Sequence, residues 1–187
     1  MILDKLRSQT AAAHAVLEAE LDIAATIADE ARYRRVLEKF LGFHATAESR
    51  WSALQSWPVA GYDPREPRKS DWLRADLLTL GLATEAVEEL ARPVAPLPVD
   101  DVATAFGCAY VLEGSALGGR QIAKMLASFP ETERPRRFFT SDGADVTARW
   151  KTFREALEHF AAATGAADEK IVEGAEGTFR SFRQWLS

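Results

Sequence analysis

Three side chains near the start of the chain have the types and spacing to hold a metal-bearing ligand. Arg7, His14 and Glu18 are separated by seven and four residues, which places them on one face of a helix. A neutral imidazole nitrogen of His14 can bind a metal, and a carboxylate one turn further on can accept the other ring N–H and fix the orientation of the ring. Arg7 adds a cation that could pair with an anionic group of the same ligand.

The other two histidines have less informative surroundings, and a histidine on a helix is more often an ordinary polar residue than a ligand. His159 lies among charged residues near the end of a helical pattern, which predicts a solvent-facing position. His44 follows Phe43 and is predicted to lie in the core or at its boundary. His14 is therefore the candidate metal ligand.

A glycine-bearing stretch between residues 102 and 126 is the second candidate feature. Its apolar residues recur at helical spacing, yet it contains Gly107, Gly114, Gly118 and Gly119. A glycine inside a helix costs about 1 kcal/mol relative to alanine, so four of them are a large fraction of a typical stability of about 5–15 kcal/mol. At about 100° per residue, the first three lie within roughly 40° of one another around the axis.

Two kinds of partner could approach this bare stripe. Gly114 and Gly118 would permit close packing of another helix, or the stripe could border a slot for a flat, rigid ligand. The spacing alone leaves both open. Combined with the His14 face, the stripe describes a heme slot in which His14 is the single axial ligand and the glycines form the opposite wall.

The composition of the whole chain excludes several classes of protein. The 187 residues predict one domain spanning 1–187, with 47% hydrophobic residues and a net charge of −5. This charge argues against binding to nucleic acid or an acidic membrane. A single cysteine, Cys108, excludes an internal disulfide. Charged residues within the first seven positions argue against a secretory signal. The uncharged run at 102–112 is too short to span a membrane, so we expect a cytoplasmic protein.

Hydrophobic periodicity predicts an all-α fold, a compact bundle of about seven or eight helices without a convincing strand pair. Asp29, Ser70, Thr84 and Asp100 or Asp101 are candidate N-caps. Two proline-bearing segments, 58–69 and 92–98, are predicted loops, and 130–145 is a loop with space for a short helical turn. The predicted helices cover 3–21, 29–56, 71–80, 85–90, 102–126, 146–164 and 168–185.

The segments 6–18 and 110–119 resemble the heme oxygenase family, and most of all its bacterial branch that supplies biliverdin to phytochromes. In length and helix order the resemblance covers essentially the whole chain. It implies a heme oxygenase-like helical bundle, with His14 as the proximal ligand of heme b and Glu18 as the partner of that histidine. It also implies that Gly114 and Gly118 contact heme and oxygen, with Gly119 beside them.

Four further residues match family positions around the edge of the heme. Arg7 matches a cationic position that pairs with a heme propionate, and Arg154 matches a second propionate-binding position on a later helix. Tyr110 lies near the position of a propionate-binding tyrosine. Phe179 resembles an aromatic residue that walls the pocket.

One position departs from the family pattern. Many members carry an aspartate beside the distal glycines, where it anchors the water network that delivers protons to oxygen. This chain has Ser115 there and no aspartate in the stretch. Some bacterial relatives also lack the aspartate, so the departure leaves the proton route open rather than excluding activity.

The resemblance implies that heme is both cofactor and substrate, cleaved with O2 to biliverdin, carbon monoxide and ferrous iron. Electrons would come from an external donor, because the glycine cluster follows no strand and is not a dinucleotide loop. A biliverdin-using phytochrome is the downstream partner that the resemblance suggests.

Three alternatives remain on sequence grounds. The Ser115 departure keeps open a heme-binding carrier or sensor that does not turn heme over. A di-iron oxygenase on a similar bundle would need Glu-x-x-His pairs, and none is present. A thiaminase-like hydrolase would need a nucleophilic cysteine, whereas Cys108 lies on an apolar face without an evident base and is expected to be a packing residue.

Overall fold

Helices form every regular element that the computed structural model describes, which comprises residues 1–54, 62–90, 97–165 and 167–187. The all-α prediction is confirmed. The elements are α1 (Ile2–Leu21), α2 (Ile23–Ala28), α3 (Glu30–Ser52), α4 (Lys69–Thr79), α5 (Thr84–Glu88), α6 (Val102–Leu126), α7 (Arg137–Thr140), a 3-10 turn (Ser141–Gly143), α8 (Val146–Thr164) and α9 (Asp168–Leu186).

The element that the sequence pattern does not predict is α2. Asp22 adopts a left-handed conformation, with φ 39° and ψ 70°, and so ends α1. Its carboxylate accepts a hydrogen bond from the backbone N–H of Ala25, which starts α2. Because a non-glycine residue seldom adopts this conformation, the break is not visible in the hydrophobic pattern.

The predicted N-caps have mixed outcomes. Asp29 and Asp101 cap α3 and α6 with their carboxylates, and Asp101 forms a capping box with Thr104. The prediction for Ser70 is wrong: it is the second residue of α4, and its N–H and hydroxyl donate to the buried carboxylate of Glu48. Thr84 is likewise inside α5, whose N-cap is Ala83. The predicted end of the second helix at 56 and most of the connector 92–98 lie outside the described residues.

The centre of the molecule is the crossing of α6 and α9. Gly107 of α6 faces α9 so closely that a Cβ atom there would overlap the carbonyl oxygen of Ile171, and Gly174 of α9 faces the carbonyl of Thr104 in the same way. Only glycine permits this approach of two backbones. A shell of buried side chains surrounds the crossing: Leu37, Phe43, Phe106, Phe153, Leu157 and Ile171.

Both terminal helices are attached to this centre. α1 packs along α9, and the last turn of α9 is fixed to α3 by two reciprocal hydrogen bonds. Lys39 Nζ donates to the Trp185 carbonyl at 2.8 Å, and Trp185 Nε1 donates to the Lys39 carbonyl at 2.7 Å. Among the described helices, none combines the length and apolarity needed to cross a membrane.

Candidate functional site

A cavity of about 890 Å³ lies between α1, α3, α6, α7 and α9. This volume is within the range of about 300–1,000 Å³ that small-molecule and cofactor sites occupy. Apolar side chains form most of its lining, including Leu17, Phe40, Ile122, Phe138, Phe179 and Phe182. The arrangement suits a large apolar ligand with a few polar attachment points.

The α1 wall carries the residues that the sequence analysis groups around His14. His14 Nδ1 lies 3.5 Å from the Glu18 carboxylate, which leaves Nε2 as the nitrogen that can bind a metal. The Phe179 ring of α9 stands edge-on to the imidazole at a centroid distance of 5.9 Å. Arg7, which lies two turns before His14 on the same face of α1, also lines the cavity. Within the described part of the chain, Arg7 forms no ion pair, so its guanidinium is available to an anionic ligand.

The glycines of α6 fall into two groups that have different neighbours: Gly114 and Gly118 border the cavity, and Gly107 packs against α9. A Cβ atom on Gly118 would have no atom within 4 Å, and one on Gly114 would come no closer than 3.8 Å to the Trp150 ring. Both residues border the cavity. Gly107, two turns before Gly114, packs against α9 instead. The interpretation of the glycines as a helix-packing surface therefore holds for Gly107. Gly114 and Gly118 instead leave the α6 backbone open to the cavity.

Gly119 and Tyr110 also lie at the cavity, each with a packing contact. A Cβ atom on Gly119 would lie 3.2 Å from the Phe139 carbonyl oxygen, so this glycine lets α7 approach α6. The half-buried Tyr110 packs against Trp150 with ring centroids 6.0 Å apart.

Arg154 is the predicted site residue that the structure does not bring to the cavity. It lies on α8 one turn after Trp150, whose ring does reach the lining. Arg154 is exposed to solvent and is absent from that lining. Arg154 is therefore not part of the cavity lining in this structure, and its contact with a propionate stays a prediction.

Ser115 is an exposed residue of α6 that also lines the cavity. Its hydroxyl donates to the carbonyl of Leu112 at 2.9 Å. That carbonyl also accepts a hydrogen bond from the ammonium of Lys69 at 2.7 Å. A carbonyl oxygen has two lone pairs, and Leu112 also belongs to the α6 backbone ladder, so the hydroxyl of Ser115 is the weaker competitor for it.

Two lining residues, His44 and Lys69, were not among the predicted site residues. His44 has only 2% of its surface exposed, and burial together with the nearby Lys69 ammonium lowers its pKa to about 3. The imidazole is therefore neutral. Lys69 is 7% exposed, and burial lowers its pKa while the neighbouring Glu113 acts in the opposite direction.

Glu113 is the centre of a buried ionic cluster behind the α6 wall. Arg149 Nη2 donates to its Oε1 at 2.6 Å, Tyr62 Oη donates at 2.8 Å, and Lys69 Nζ donates to Oε2 at 3.2 Å. Burial alone would raise the pKa of Glu113, but the two cations prevail and lower it to about 2. Glu113 is thus ionised at neutral pH and is not a proton donor.

The α7 wall is held by Asp76 of α4. The Asp76 carboxylate accepts hydrogen bonds from the backbone N–H groups of Arg137 and Phe138, both at 3.0 Å. Burial raises the pKa of this carboxyl to about 6. Phe138 and Phe139, which follow this cap, contribute their rings to the cavity.

The alternative chemistries have no corresponding centres in the described residues. Cys108 is fully buried and burial raises its pKa to about 12, so the thiol is not a nucleophile. Residues 1–54, 62–90, 97–165 and 167–187 contain no group of three or more histidine, cysteine, aspartate or glutamate side chains that could hold a metal ion. His159 is exposed on α8, outside the cavity, as its charged context predicts.

Comparison of the sequence with known proteins identifies the family that it resembles. A family model described as heme oxygenase matches residues 1–187. A protein named heme oxygenase from Xanthomonas campestris pv. campestris (strain 8004) is 32% identical over 139 residues, covering 72% of this chain and 78% of that protein. No solved structure matches the chain at a significant level.

Proposed function

Because the chain belongs to the heme oxygenase family of heme-degrading enzymes, we propose that it cleaves heme b to biliverdin, carbon monoxide and ferrous iron. Oxygen is the second substrate, and the electrons come from an external donor. The observation that carries this proposal is a single cavity that joins the His14 imidazole on α1 to the bare backbone of Gly114 and Gly118 on α6.

The cavity residues fit a heme group by shape and by chemistry. A flat macrocycle needs one nitrogen donor for iron, an apolar enclosure, and a cation for its carboxylates. His14, the aromatic lining and Arg7 provide these three features within one cavity of about 890 Å³. When bound, the heme itself supplies the redox chemistry, and the protein supplies binding, orientation and electrostatics.

Each of these residues has a role that follows from its position. His14 holds the iron, and Glu18, with its Oε2 at 3.5 Å from Nδ1, keeps the imidazole oriented. Arg7 pairs with a propionate by charge-assisted hydrogen bonds. Gly114 and Gly118 leave the α6 backbone open to the cavity, so that a flat ligand can approach this backbone closely. The rings of Phe138, Phe179 and Phe182 exclude bulk water.

The test is a hemin titration followed by addition of a reductant, with absorption spectra recorded over time. We expect one hemin per chain with a histidine-ligated spectrum, and then loss of the heme bands with appearance of a bilin. His14→Ala should lose both the spectrum and turnover, while His159→Ala, a change at an exposed histidine outside the cavity, should retain both.

Two outcomes would contradict the proposal. Stable heme binding without bilin under reducing conditions would indicate a carrier or sensor. Loss of ligation in His159→Ala but not in His14→Ala would show that the site is assigned to the wrong histidine.

A further inference from the structure

His44 is a buried polar side chain without a partner. Its imidazole packs edge-on against Phe138, with ring centroids 5.1 Å apart, and forms no hydrogen bond with any described residue. Of the fully enclosed side-chain nitrogen and oxygen atoms in the described residues, only Trp51 Nε1 lacks a hydrogen bond. The ring nitrogens of His44 form no hydrogen bond and yet are not among these enclosed atoms. They are therefore accessible from the cavity that His44 lines. A neutral imidazole offers one donor and one acceptor at this position.

Lys69 has an unused donor at the same cavity. An ammonium carries three N–H groups, and Lys69 Nζ spends two of them on the Leu112 carbonyl and Glu113 Oε2. The described residues provide no acceptor for the third. Because Leu112 belongs to α6, the ammonium lies on the side of the cavity formed by the glycine-bearing helix.

Neutralisation of Glu113 does not require Lys69. Arg149 donates to both carboxylate oxygens of Glu113, and Tyr62 adds a third bond. Arg149 and Lys69 together balance one carboxylate, so the cluster carries an excess positive charge beside the cavity. The nearby Glu48 has its own partner in Arg68, at 3.6 Å.

We propose that Lys69 and His44 form a polar site on the α6 side of the cavity that would bind a small anion or water beside a heme held in it. The third N–H of Lys69 donates to the bound species, and His44 exchanges a hydrogen bond with it. This inference rests on the proposed function and deepens it. Ser115, whose hydroxyl already donates to the Leu112 carbonyl, is secondary to this pair.

The test measures the affinity of the ferric heme complex for azide by absorption titration. Lys69→Met removes the ammonium and preserves the length of the side chain. We expect its azide Kd to rise at least about tenfold, since a hydrogen bond to a charged group is lost. Lys151→Met is the matched control: this lysine is exposed on α8, pairs with Glu155 at 3.9 Å and lies outside the cavity lining. Its azide Kd should not change.

His44→Phe gives an independent measurement that does not disturb the Glu113 cluster. The azide Kd should again rise, while the apoprotein should melt at the same temperature or higher, because an unpaired polar ring is replaced by an apolar one. If His44 were important only for packing, His44→Phe would lower the melting temperature of the apoprotein and leave the azide Kd unchanged.

The outcomes separate this inference from the proposed function. If the wild-type protein binds no hemin, both are overturned. If hemin binds through His14 but azide affinity is unchanged in His44→Phe and in a folded Lys69→Met, only the Lys69–His44 site is overturned. Should Lys69→Met fail to fold, the result for His44→Phe decides.

Discussion

At the scale of single residues, Gly118 contributes through the side chain that it lacks. A Cβ atom there would meet nothing within 4 Å, because the cavity lies in front of the backbone. We expect Gly118→Leu to leave the stability of the apoprotein unchanged or raise it by up to about 1 kcal/mol, the helix-propensity difference. The same change should weaken hemin binding at least about tenfold, because the side chain fills space that heme needs. Thermal melts beside hemin titrations measure both effects.

Gly107→Ala is the matched control for Gly118. The added methyl group would overlap the Ile171 carbonyl of α9, so the two helices must separate, which typically costs about 1–3 kcal/mol and can cost more. We expect a lower melting temperature and unchanged hemin affinity of the folded protein. If Gly118→Leu gave this pattern as well, the whole stripe would be a packing surface and the cavity wall would be misassigned.

Arg7 and Arg154 should differ in their effect on the site of ring cleavage. Arg7 lines the cavity, and Arg154 faces solvent on α8. A cation that pairs with a propionate fixes the in-plane rotation of heme, so Arg7→Ala should broaden the mixture of biliverdin isomers more than it lowers the rate of heme loss. Arg154→Ala should leave the mixture unchanged. Chromatographic separation of the isomers decides; equal profiles for wild type and Arg7→Ala would contradict the propionate contact.

Ser115 should have a secondary role in turnover. Its hydroxyl donates to the Leu112 carbonyl at 2.9 Å and carries no charge. We therefore expect Ser115→Ala to slow turnover within roughly tenfold, equivalent to about 1.4 kcal/mol of barrier, and Ser115→Asp to remain active. Single-turnover rates with bound hemin test this. A loss of several orders of magnitude with normal hemin binding would make this hydroxyl the obligatory proton relay.

At the scale of elements, α7 depends on one carboxylate from α4. Burial raises the pKa of Asp76 to about 6, from 3.8, so the folded protein binds this proton more tightly than the unfolded chain does. The stabilising effect of protonation is complete below about pH 4 and is lost as the pH rises through about 6. A shift of about two units corresponds to roughly 3 kcal/mol.

Asp76→Asn removes this titration and one of the two acceptors. Its unfolding free energy should therefore fall further below that of the wild type at pH 4 than at pH 7, as measured by urea denaturation at both pH values. Asp71→Asn, a change at an exposed aspartate of the same helix, is the control. A difference between Asp76→Asn and wild type that does not vary with pH would refute this account.

The elements could be predicted where local chemistry specifies them. The Asp101 capping box and the helical periodicity of 102–126 are properties of short segments, and both are found in α6. The break at Asp22 and the position of Ser70 depend on contacts distant in sequence or on an uncommon backbone conformation. The hydrophobic pattern of the sequence therefore predicts neither the break at Asp22 nor the position of Ser70.

The same distinction applies to the cavity. His14 and Glu18 share one helix face, so their spacing reveals the pair. His44 and Lys69 lie on α3 and α4, and only tertiary packing brings them to the α6 backbone. Gly107 and Gly118 have the same angular position on α6, and only the location of α9 distinguishes them.

At the scale of the whole molecule, the Glu113 cluster connects the segment at Tyr62 with α4, α6 and α8. Lys69 and Arg149 outweigh the effect of burial and lower the pKa of Glu113 from 4.5 to about 2. The stabilisation is therefore fully present above about pH 4.5 and is lost as the pH falls through about 2. A shift of this size corresponds to roughly 3 kcal/mol.

Glu113→Gln should be less stable than the wild type at pH 6 by about 3 kcal/mol or more, since the buried Lys69 and the partly buried Arg149 lose their counterion. The gap should narrow as the pH falls from about 4.5 towards 2, which urea titrations across this range would reveal. Glu155→Gln, at an exposed glutamate, should show no such narrowing. A gap of constant size would mean that Glu113 acts through shape rather than charge.

The attachment of α1 along α9 has a consequence for how the protein acquires heme during synthesis. Arg7 and His14 on α1 are synthesised before Phe179 and Phe182 on α9, which line the same cavity. Domains generally fold as units. The cavity is therefore incomplete until α9 has been translated, and we expect tight heme binding only after α9 has joined α1.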